Sequence, residues 1–165
     1  MNKNRRNILI AVVLLVILLV MPFWGTIKGL ITGEDASTGA TTQMPQVACT
    51  LAVSVQPALE DLDLVKEEAR DLLPEDGWLL AEAQVTLSEG STLLDALQTA
   101  CQEAGLAVEA SSGYVEAIGG LRAGDGGDLS GWTYTVNGET VMTGAGELEV
   151  QEGDQILWSY VCTWE

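Results

Sequence analysis

Hydrophobic residues first form an uninterrupted block near the N-terminus. Residues 8–24 carry no charge and consist mostly of Ile, Leu and Val, and residues 25–27 extend the block without a charge. A membrane-spanning helix needs about 17–25 such residues. Lys3, Arg5 and Arg6 precede the block, and basic residues beside a span tend to stay in the cytoplasm. The pattern therefore predicts one transmembrane anchor over residues 8–27, with a cytoplasmic N-terminus and the rest of the chain outside the cell membrane.

Two other interpretations of this block stay open. A cleavable signal peptide has a shorter apolar core that is followed closely by small residues. Here the core ends in Met-Pro-Phe-Trp at residues 21–24, and no Ala-x-Ala pattern follows. Lipidation would have to use Cys49, which lies more than twenty residues beyond the block. A retained anchor fits the pattern best.

Between the block and the first predicted strand, the residues have mostly small or polar side chains. Residues 33–46 are rich in Gly, Ala, Ser and Thr and offer almost nothing to bury, which is typical of a flexible tether. The sequence therefore predicts three parts: a cytoplasmic tail and anchor over residues 1–31, a linker over 32–46, and an extracytoplasmic domain over 47–165.

The first half of the domain carries a strand pattern, a helix pattern and a second strand pattern. Apolar residues occupy every second position in residues 47–55, which predicts a strand with one buried face. In residues 60–73, before Pro74, apolar positions recur at helical spacing and predict an amphipathic helix. Residues 78–87 predict the second strand.

A second helix has the clearest end signals. Thr92 and Asp95 have the spacing of a capping box, and Gly105 is the residue type that ends helices in a left-handed conformation. One face of this helix is predicted to carry Leu94, Leu97, Cys101 and Ala104. Residues 106–110 and 114–121 then predict two short strands.

A β-hairpin is predicted in the last third of the chain. Residues 132–136 alternate strictly, Asn137 and Gly138 tolerate the positive φ angles of a type I′ turn, and residues 139–143 return. Such a turn would pair Val136 with Glu139, Tyr134 with Val141, and Trp132 with Thr143.

A final strand is predicted over residues 155–163. Its buried face would carry Ile156, Trp158, Tyr160 and Cys162. The order of elements predicts an α+β fold, with a β-grasp-like, mostly antiparallel sheet and two helices.

Charge narrows the range of partners. All 24 acidic residues lie after Gly33, where they face only Lys66, Arg70 and Arg122, so this part of the chain has a net charge of −21. Nucleic acid and anionic lipid head groups are bound through Lys and Arg. Neither is expected as a partner, whereas an acidic surface can attract a cationic one.

The residue inventory argues against catalysis. The chain contains no His, which removes the usual general base near neutral pH, the His-bearing triads and the common zinc sites. It also lacks a Gly-rich phosphate loop with the required lysine. We therefore expect that the domain is not an enzyme, that it has no catalytic or metal-binding residues, and that it requires no cofactor.

Three segments in the last third resemble a known family. They read Tyr-Val-Glu-Ala-Ile at 114–118, Asp-Leu-Ser-Gly-Trp-Thr-Tyr-Thr-Val-Asn-Gly at 128–138, and Gly-Asp-Gln-Ile-Leu-Trp-Ser-Tyr at 153–160. The combination resembles bacterial surface domains of unknown function that are related to the C-terminal domain of transcobalamin. Such domains are common in anchored proteins of Gram-positive bacteria. The resemblance extends over essentially all of residues 47–165.

The resemblance implies a function and a cysteine pairing. It implies binding of cobalamin or another corrinoid, alongside a membrane vitamin transporter. The chain has three cysteines, so at most one internal disulfide can form. The family carries further cysteines near Val55, Gly126 and Gly146, which are absent here. The resemblance therefore implies that Cys162 is unpaired and that Cys49 and Cys101 form the disulfide.

Aromatic residues of the last third supply the candidate ligand site. Flat apolar ligands are usually held by such side chains together with a few polar groups, although core packing explains the same residues equally well. The candidates are Trp132, Tyr134, Asn137, Trp158, Tyr160 and Trp164. The sequence thus predicts a membrane-anchored extracytoplasmic module that captures a corrinoid for uptake. The alternative is a surface protein-interaction or structural module that has no small-molecule ligand.

Overall fold

The computed structural model describes residues 45–163. The predicted anchor over residues 8–27, nearly all of the predicted linker and the candidate residue Trp164 lie outside the described residues. Among the helices of residues 45–163, none combines the length and the hydropathy that a membrane span requires.

Residues 45–163 form eight strands and three helices, which confirms the predicted α+β class. In chain order they are β1 (Gln46–Ser54), α1 (Gln56–Glu60), α2 (Glu67–Arg70), β2 (Trp78–Ser88), α3 (Leu93–Glu103), β3 (Val108–Ser111), β4 (Tyr114–Ile118), β5 (Leu121–Arg122), β6 (Gly131–Val136), β7 (Glu139–Thr140) and β8 (Gln155–Val161).

Five of the strands form a mixed sheet in the order β2-β1-β8-β6-β7. The first strand lies inside this sheet, antiparallel to β2 and parallel to β8, with Leu51 opposite Ile156. The strand β8 is antiparallel to β6 on its other side. Side chains alternate between the two faces of a strand. The alternation predicted for the last strand is accordingly confirmed, since Ile156, Trp158, Tyr160 and Cys162 are all buried.

The helix α3 covers the apolar face of this sheet at β1 and β2, and it also packs against β3, which belongs to a second, three-stranded sheet in the order β3-β4-β5. Its predicted capping box is confirmed, because Asp95 N donates to Thr92 Oγ1 at 3.2 Å and Thr92 N donates to the Asp95 carboxylate at 2.8 Å. The predicted face was partly wrong. The buried residues are Leu93, Ala96, Leu97, Ala100 and Cys101. Ala104 is exposed because the helix ends at Glu103, one position before it.

The single helix predicted over residues 60–73 is wrong. The chain forms the two short helices α1 and α2 instead, and only Val65 and Ala69 of the predicted apolar face are buried. Pro57 lies in the first turn of α1, where proline favours helix initiation, so the helix starts earlier than predicted. Asp61 and Asp63 follow, and Asp is a poor residue for a helix interior.

The hairpin turn is confirmed and the length of its return strand is wrong. Asn137 and Gly138 have φ angles of 54° and 82°, and Val136 pairs with Glu139. The return strand β7 ends at Thr140, so the two predicted pairs beyond it are not formed. The carbonyl of Thr143 accepts a hydrogen bond from the Tyr134 hydroxyl instead of pairing with the backbone of β6.

The predicted Cys49–Cys101 disulfide is also wrong, because all three cysteines are free thiols in the structure. Each one packs in the core as a small apolar side chain. Burial raises the pKa of Cys101 to about 11, so this group stays a protonated thiol at neutral pH. Burial, followed by the charges of Asp154 and Glu152, raises the pKa of Cys49. A protonated, enclosed thiol is chemically inert compared with an exposed thiolate.

Candidate functional site

A groove opens beside β6, between the turn that joins β3 to β4 and the segment that follows β7. Its volume is 280 Å³, and more of its wall is apolar than polar. None of the residues that line it carries a charge. We call this feature the β6 groove, and it can accept an uncharged, largely apolar group.

Two stacked aromatic side chains contribute to the wall of the β6 groove. Tyr134 on β6 lies directly opposite Trp158 on β8, and their ring centroids are 4.9 Å apart with the planes tilted by 39°. Both rings are buried, and burial raises the pKa of the Tyr134 phenol, which therefore remains a neutral donor. Its bond to the carbonyl of Thr143 connects the sheet to the opposite side of the groove.

The indole nitrogen of Trp158 has no acceptor among residues 45–163, although it is fully covered. The neighbouring Trp132 differs, because its Nε1 donates to the carbonyl of Leu121 at 3.1 Å. More than nine in ten buried polar groups in proteins have a partner, and a buried donor without one costs about 1–3 kcal/mol. The Trp158 donor is therefore an unusual feature of this wall.

The rim of the β6 groove carries two exposed apolar side chains. Tyr114, at the start of β4, is 54% exposed, and Met142, after β7, is 90% exposed. Met is unbranched and has several rotatable bonds, so it adapts to ligands of different shape. Exposed apolar side chains beside an apolar groove are typical of a binding site.

The two sides of the groove are in close backbone contact at two glycines. A Cβ atom on Gly146 would lie 3.2 Å from the Cα atom of Gly113, so the β3–β4 turn and the segment after β7 touch backbone to backbone. Gly113 itself has a φ angle of +81°, which other residues rarely adopt. This end of the groove therefore depends on the absence of side chains.

We expect the substitution Gly146→Ala to lower the free energy of unfolding by about 1–3 kcal/mol, because the added methyl group pushes the β3–β4 turn away. The matched control is Gly144→Ala, since the closest atoms to a Cβ there are 4.0 Å away. Chemical denaturation of the two variants checks this. Equal stabilities would show that the contact between the two turns is not tight.

The structure brings three of the candidate site residues together and places two elsewhere. Trp132, Tyr134 and Trp158 line the β6 groove. Asn137 lies at the hairpin turn, where its side chain donates to Asp154 Oδ1 and accepts from Gln155 N, each at 2.9 Å. Its role in the structure is thus to join the hairpin turn to the start of β8.

Tyr160 lies in a buried polar network rather than in the groove. Its hydroxyl donates to the carbonyl of Arg122 at 2.6 Å, accepts from Gly126 N at 2.9 Å, and lies 2.9 Å from Ser130 Oγ. Ser130 Oγ also accepts from Gly124 N at 3.0 Å. The glycine-rich loop between β5 and β6 is therefore folded around these two hydroxyl groups.

Sequence reasoning missed the groove residues that come from turns. Tyr114 was assigned to a strand and to a family motif but not to the ligand site, and the predicted hairpin register placed residues 141–143 beside β6 rather than on the far side of a groove. Met142 and the glycines give no periodic signal, so no local pattern could have selected them.

Residues 45–163 carry 21 acidic residues against three basic ones, and every acidic residue except Asp154 lies at the surface. Each basic residue is already engaged. Lys66 lies 3.3 Å from Asp125, Arg122 binds both oxygens of Glu109 at 2.5 and 2.6 Å, and Arg70 Nε donates to the carbonyl of Val65. The described surface therefore offers little to an anionic ligand.

Residues 45–163 form an α+β domain with an uncharged groove beside β6, and a family model agrees with the resemblance in the sequence motifs. Residues 90–161, less than half of the chain, match a family described as a domain of unknown function, DUF4430. The resemblance seen in the sequence motifs is thus confirmed over these residues. No curated protein matches the chain.

Two solved structures illustrate the similarity. One is haptocorrin in complex with Cbi, at 21% identity and a TM-score of 0.49, with 72% of this chain and 26% of the haptocorrin chain covered. The other is a protein from Ruminococcus gnavus ATCC 29149 described provisionally as metal-binding, at 16% identity and a TM-score of 0.42. It is covered over 99% of its length and covers 72% of this chain. The chain thus spans about a quarter of haptocorrin.

Proposed function

We propose that the protein is a membrane-anchored extracytoplasmic binding module that captures a flat, largely apolar ligand, cobalamin or another corrinoid, in the β6 groove. The observation that carries the proposal is the groove itself, with an apolar wall, two exposed apolar side chains on its rim and one buried donor that has no partner among residues 45–163. Ligand sites combine apolar walls with a few placed polar groups in this way.

The size of the groove limits how such a ligand would bind. Pockets that enclose a small molecule have volumes of about 300–1,000 Å³. With 280 Å³, the β6 groove lies just below that range. A ligand as large as a corrinoid would therefore insert one edge into the groove and leave the rest of its surface open to a second protein.

The other parts of the proposal rest on the sequence. The uncharged block at residues 8–27 and the basic residues before it support an anchor with the domain outside the membrane. The central parallel pair of first and last strands supports a β-grasp-like description of the sheet. At the membrane surface the module would pass its ligand to a vitamin transporter.

We expect Tyr114→Ala to weaken the binding of cyanocobalamin by about 5- to 30-fold, because the substitution removes an aromatic contact at the rim that is worth about 1–2 kcal/mol. Titration of the full-length chain in detergent, followed by calorimetry and by absorbance, measures the change. The fold should be unaffected, since Tyr114 is half exposed.

The control for this experiment is Leu64→Ala, which removes a comparably exposed apolar side chain that does not line the β6 groove. This variant should bind as the unmodified chain does. If the unmodified chain gives neither heat nor an absorbance change with cyanocobalamin, the corrinoid proposal is wrong.

A second candidate function is the binding of a cationic amphipathic partner. Residues 60–76 carry eight acidic residues and three exposed leucines: Leu62, Leu64 and Leu72. This segment begins at the last residue of α1 and contains all of α2. Leucines exposed within an acidic surface are suited to a partner that is both basic and apolar.

This candidate predicts that a synthetic amphipathic peptide of Lys and Leu binds the full-length chain at low salt. The affinity should fall steeply as the salt concentration rises, since exposed charges are screened, and the double substitution of Leu62 and Leu64 by Ser should weaken it further. Binding that is insensitive to both changes would exclude this surface. Fluorescence anisotropy of a labelled peptide is the measurement.

A further inference from the structure

The Trp158 side chain combines a position in the groove wall with a polar group that has no partner within residues 45–163. The residue is 2% exposed and its Nε1 atom is fully covered. An indole N–H can only donate, so whatever completes it must be an acceptor. A Phe at this position would present an aromatic face without a buried donor.

We propose that the Trp158 Nε1–H is the group through which the β6 groove recognises a neutral acceptor oxygen on its ligand, such as the carbonyl of an amide or ketone. The inference rests on the proposed function only in taking the groove as the binding site, and it does not require the ligand to be a corrinoid. The apolar part of the ligand would contact the Tyr134 and Trp158 rings, and its oxygen would accept the hydrogen bond.

The absence of charge in the wall selects the chemistry of the acceptor. No residue that lines the groove is basic, and residues 45–163 carry 21 acidic residues against three basic ones. A carboxylate or phosphate would lose its hydration without gaining a cation, and it would be repelled by the surrounding acidic groups. A neutral carbonyl oxygen costs far less to transfer from water than a charged group does, and it satisfies the indole donor.

Access to the donor requires a movement that the groove can make. The Nε1 atom is covered in this conformation, whereas Met142 at the rim is 90% exposed. Met has several rotatable bonds, so the Met142 side chain can change position when the groove wall moves to admit a ligand. The backbone that follows Met142 in the same segment is held in place, because Ala145 O accepts from Leu94 N at 3.0 Å and Thr143 O accepts from the Tyr134 hydroxyl.

The test uses the full-length chain with its tryptophans isotope-labelled at the indole nitrogen and two small probes. Cyclopentanone carries one neutral acceptor oxygen, and cyclopentene has a similar ring without it. We expect the Trp158 indole proton to move downfield, to a saturating value, with cyclopentanone and not with cyclopentene. Trp78 is the internal control, because it does not line the β6 groove and its indole proton should not move with either probe.

The variant Trp158→Phe should bind cyclopentanone about 3- to 10-fold more weakly, which is the range for one lost hydrogen bond, and bind cyclopentene unchanged. If this variant does not fold, the response of the Trp158 indole proton in the unmodified chain to the two probes still tests the proposal. The proposal is overturned if the Trp158 proton is already at a hydrogen-bonded position without probe, or if cyclopentanone leaves it unmoved.

The two proposals can fail separately. A shift with cyclopentanone together with no binding of cyanocobalamin would refute the corrinoid and retain the Trp158 donor. Binding of cyanocobalamin at the groove, with the Trp158 proton unmoved by it and by cyclopentanone, would refute the donor and retain the corrinoid.

Discussion

The substitution Gly126→Cys is expected to create a disulfide with Cys162 and to raise the free energy of unfolding by about 2–4 kcal/mol under oxidising conditions. The bond would close a loop of about 37 residues, and most of the gain comes from restricting the unfolded chain. For a domain of this size the melting temperature should rise by about 10–20 °C.

The geometry at Gly126 supports this expectation. A Cβ atom at this position would lie 2.7 Å from the Cys162 sulfur, and in a disulfide that separation is about 3 Å. The Cβ atom would also approach Tyr160 Cε1 and Ser130 Cβ at 3.0 and 3.1 Å. Some stability will be lost to this crowding, which places the gain toward the lower end of the range.

Thermal unfolding with and without reductant, together with mass spectrometry of non-reduced peptides, measures the effect. The control is Gly126→Ala, which adds the crowding without the bond and should be less stable than the unmodified chain by about 1–3 kcal/mol. With a reductant present, the free energy of unfolding of Gly126→Cys should fall to about that of Gly126→Ala. A free Cys162 in the oxidised variant would show that the two positions are farther apart than described.

The substitution Leu97→Ala should lower the free energy of unfolding by about 2–5 kcal/mol, which is a large part of the stability of a domain of this size. Leu97 is completely buried on α3, where the helix covers the sheet. Removing its side chain deletes apolar contacts and leaves a cavity that the packed core can only partly fill.

Urea denaturation of the full-length chain checks this value. Leu64→Ala deletes the same atoms from a side chain that is 47% exposed, and it should change stability by less than about 0.5 kcal/mol. If both variants lost the same stability, the helix α3 would not be packed on the sheet as described.

Patterns that depend on neighbouring residues predicted most of the fold. The capping box at Thr92, the Asn137-Gly138 turn and the alternation of β8 are local features, and the structure contains all three. The prediction of a helix over residues 60–73 was wrong because it rested on the spacing of apolar residues alone. Pro57 starts a helix earlier, and a run of acidic residues follows that helix. Leu62 and Leu72 are exposed as a result.

The candidate site was less predictable, since it is formed by segments that are distant in the sequence. The aromatic residues of the sequence correctly predicted Trp132, Tyr134 and Trp158 as wall residues of the β6 groove. The same pattern also selected Tyr160, which lies on the same face of β8 as Trp158 but hydrogen-bonds to a loop instead. Only the three-dimensional positions of the surrounding carbonyl groups show that the Trp158 indole has no acceptor among residues 45–163.

The position of β1 in the sheet has a consequence for the timing of folding. Its two neighbours are β2, which follows soon after, and β8, whose Ile156 is 105 positions beyond Leu51. Ribosomes deliver the chain from its N-terminus, so β1 and β2 can pair early, whereas the other edge of β1 stays open until β8 has emerged. Contacts of such long range are formed slowly. The sheet can therefore be completed only after the last strand has been synthesised, even though its first hairpin-like pair forms early.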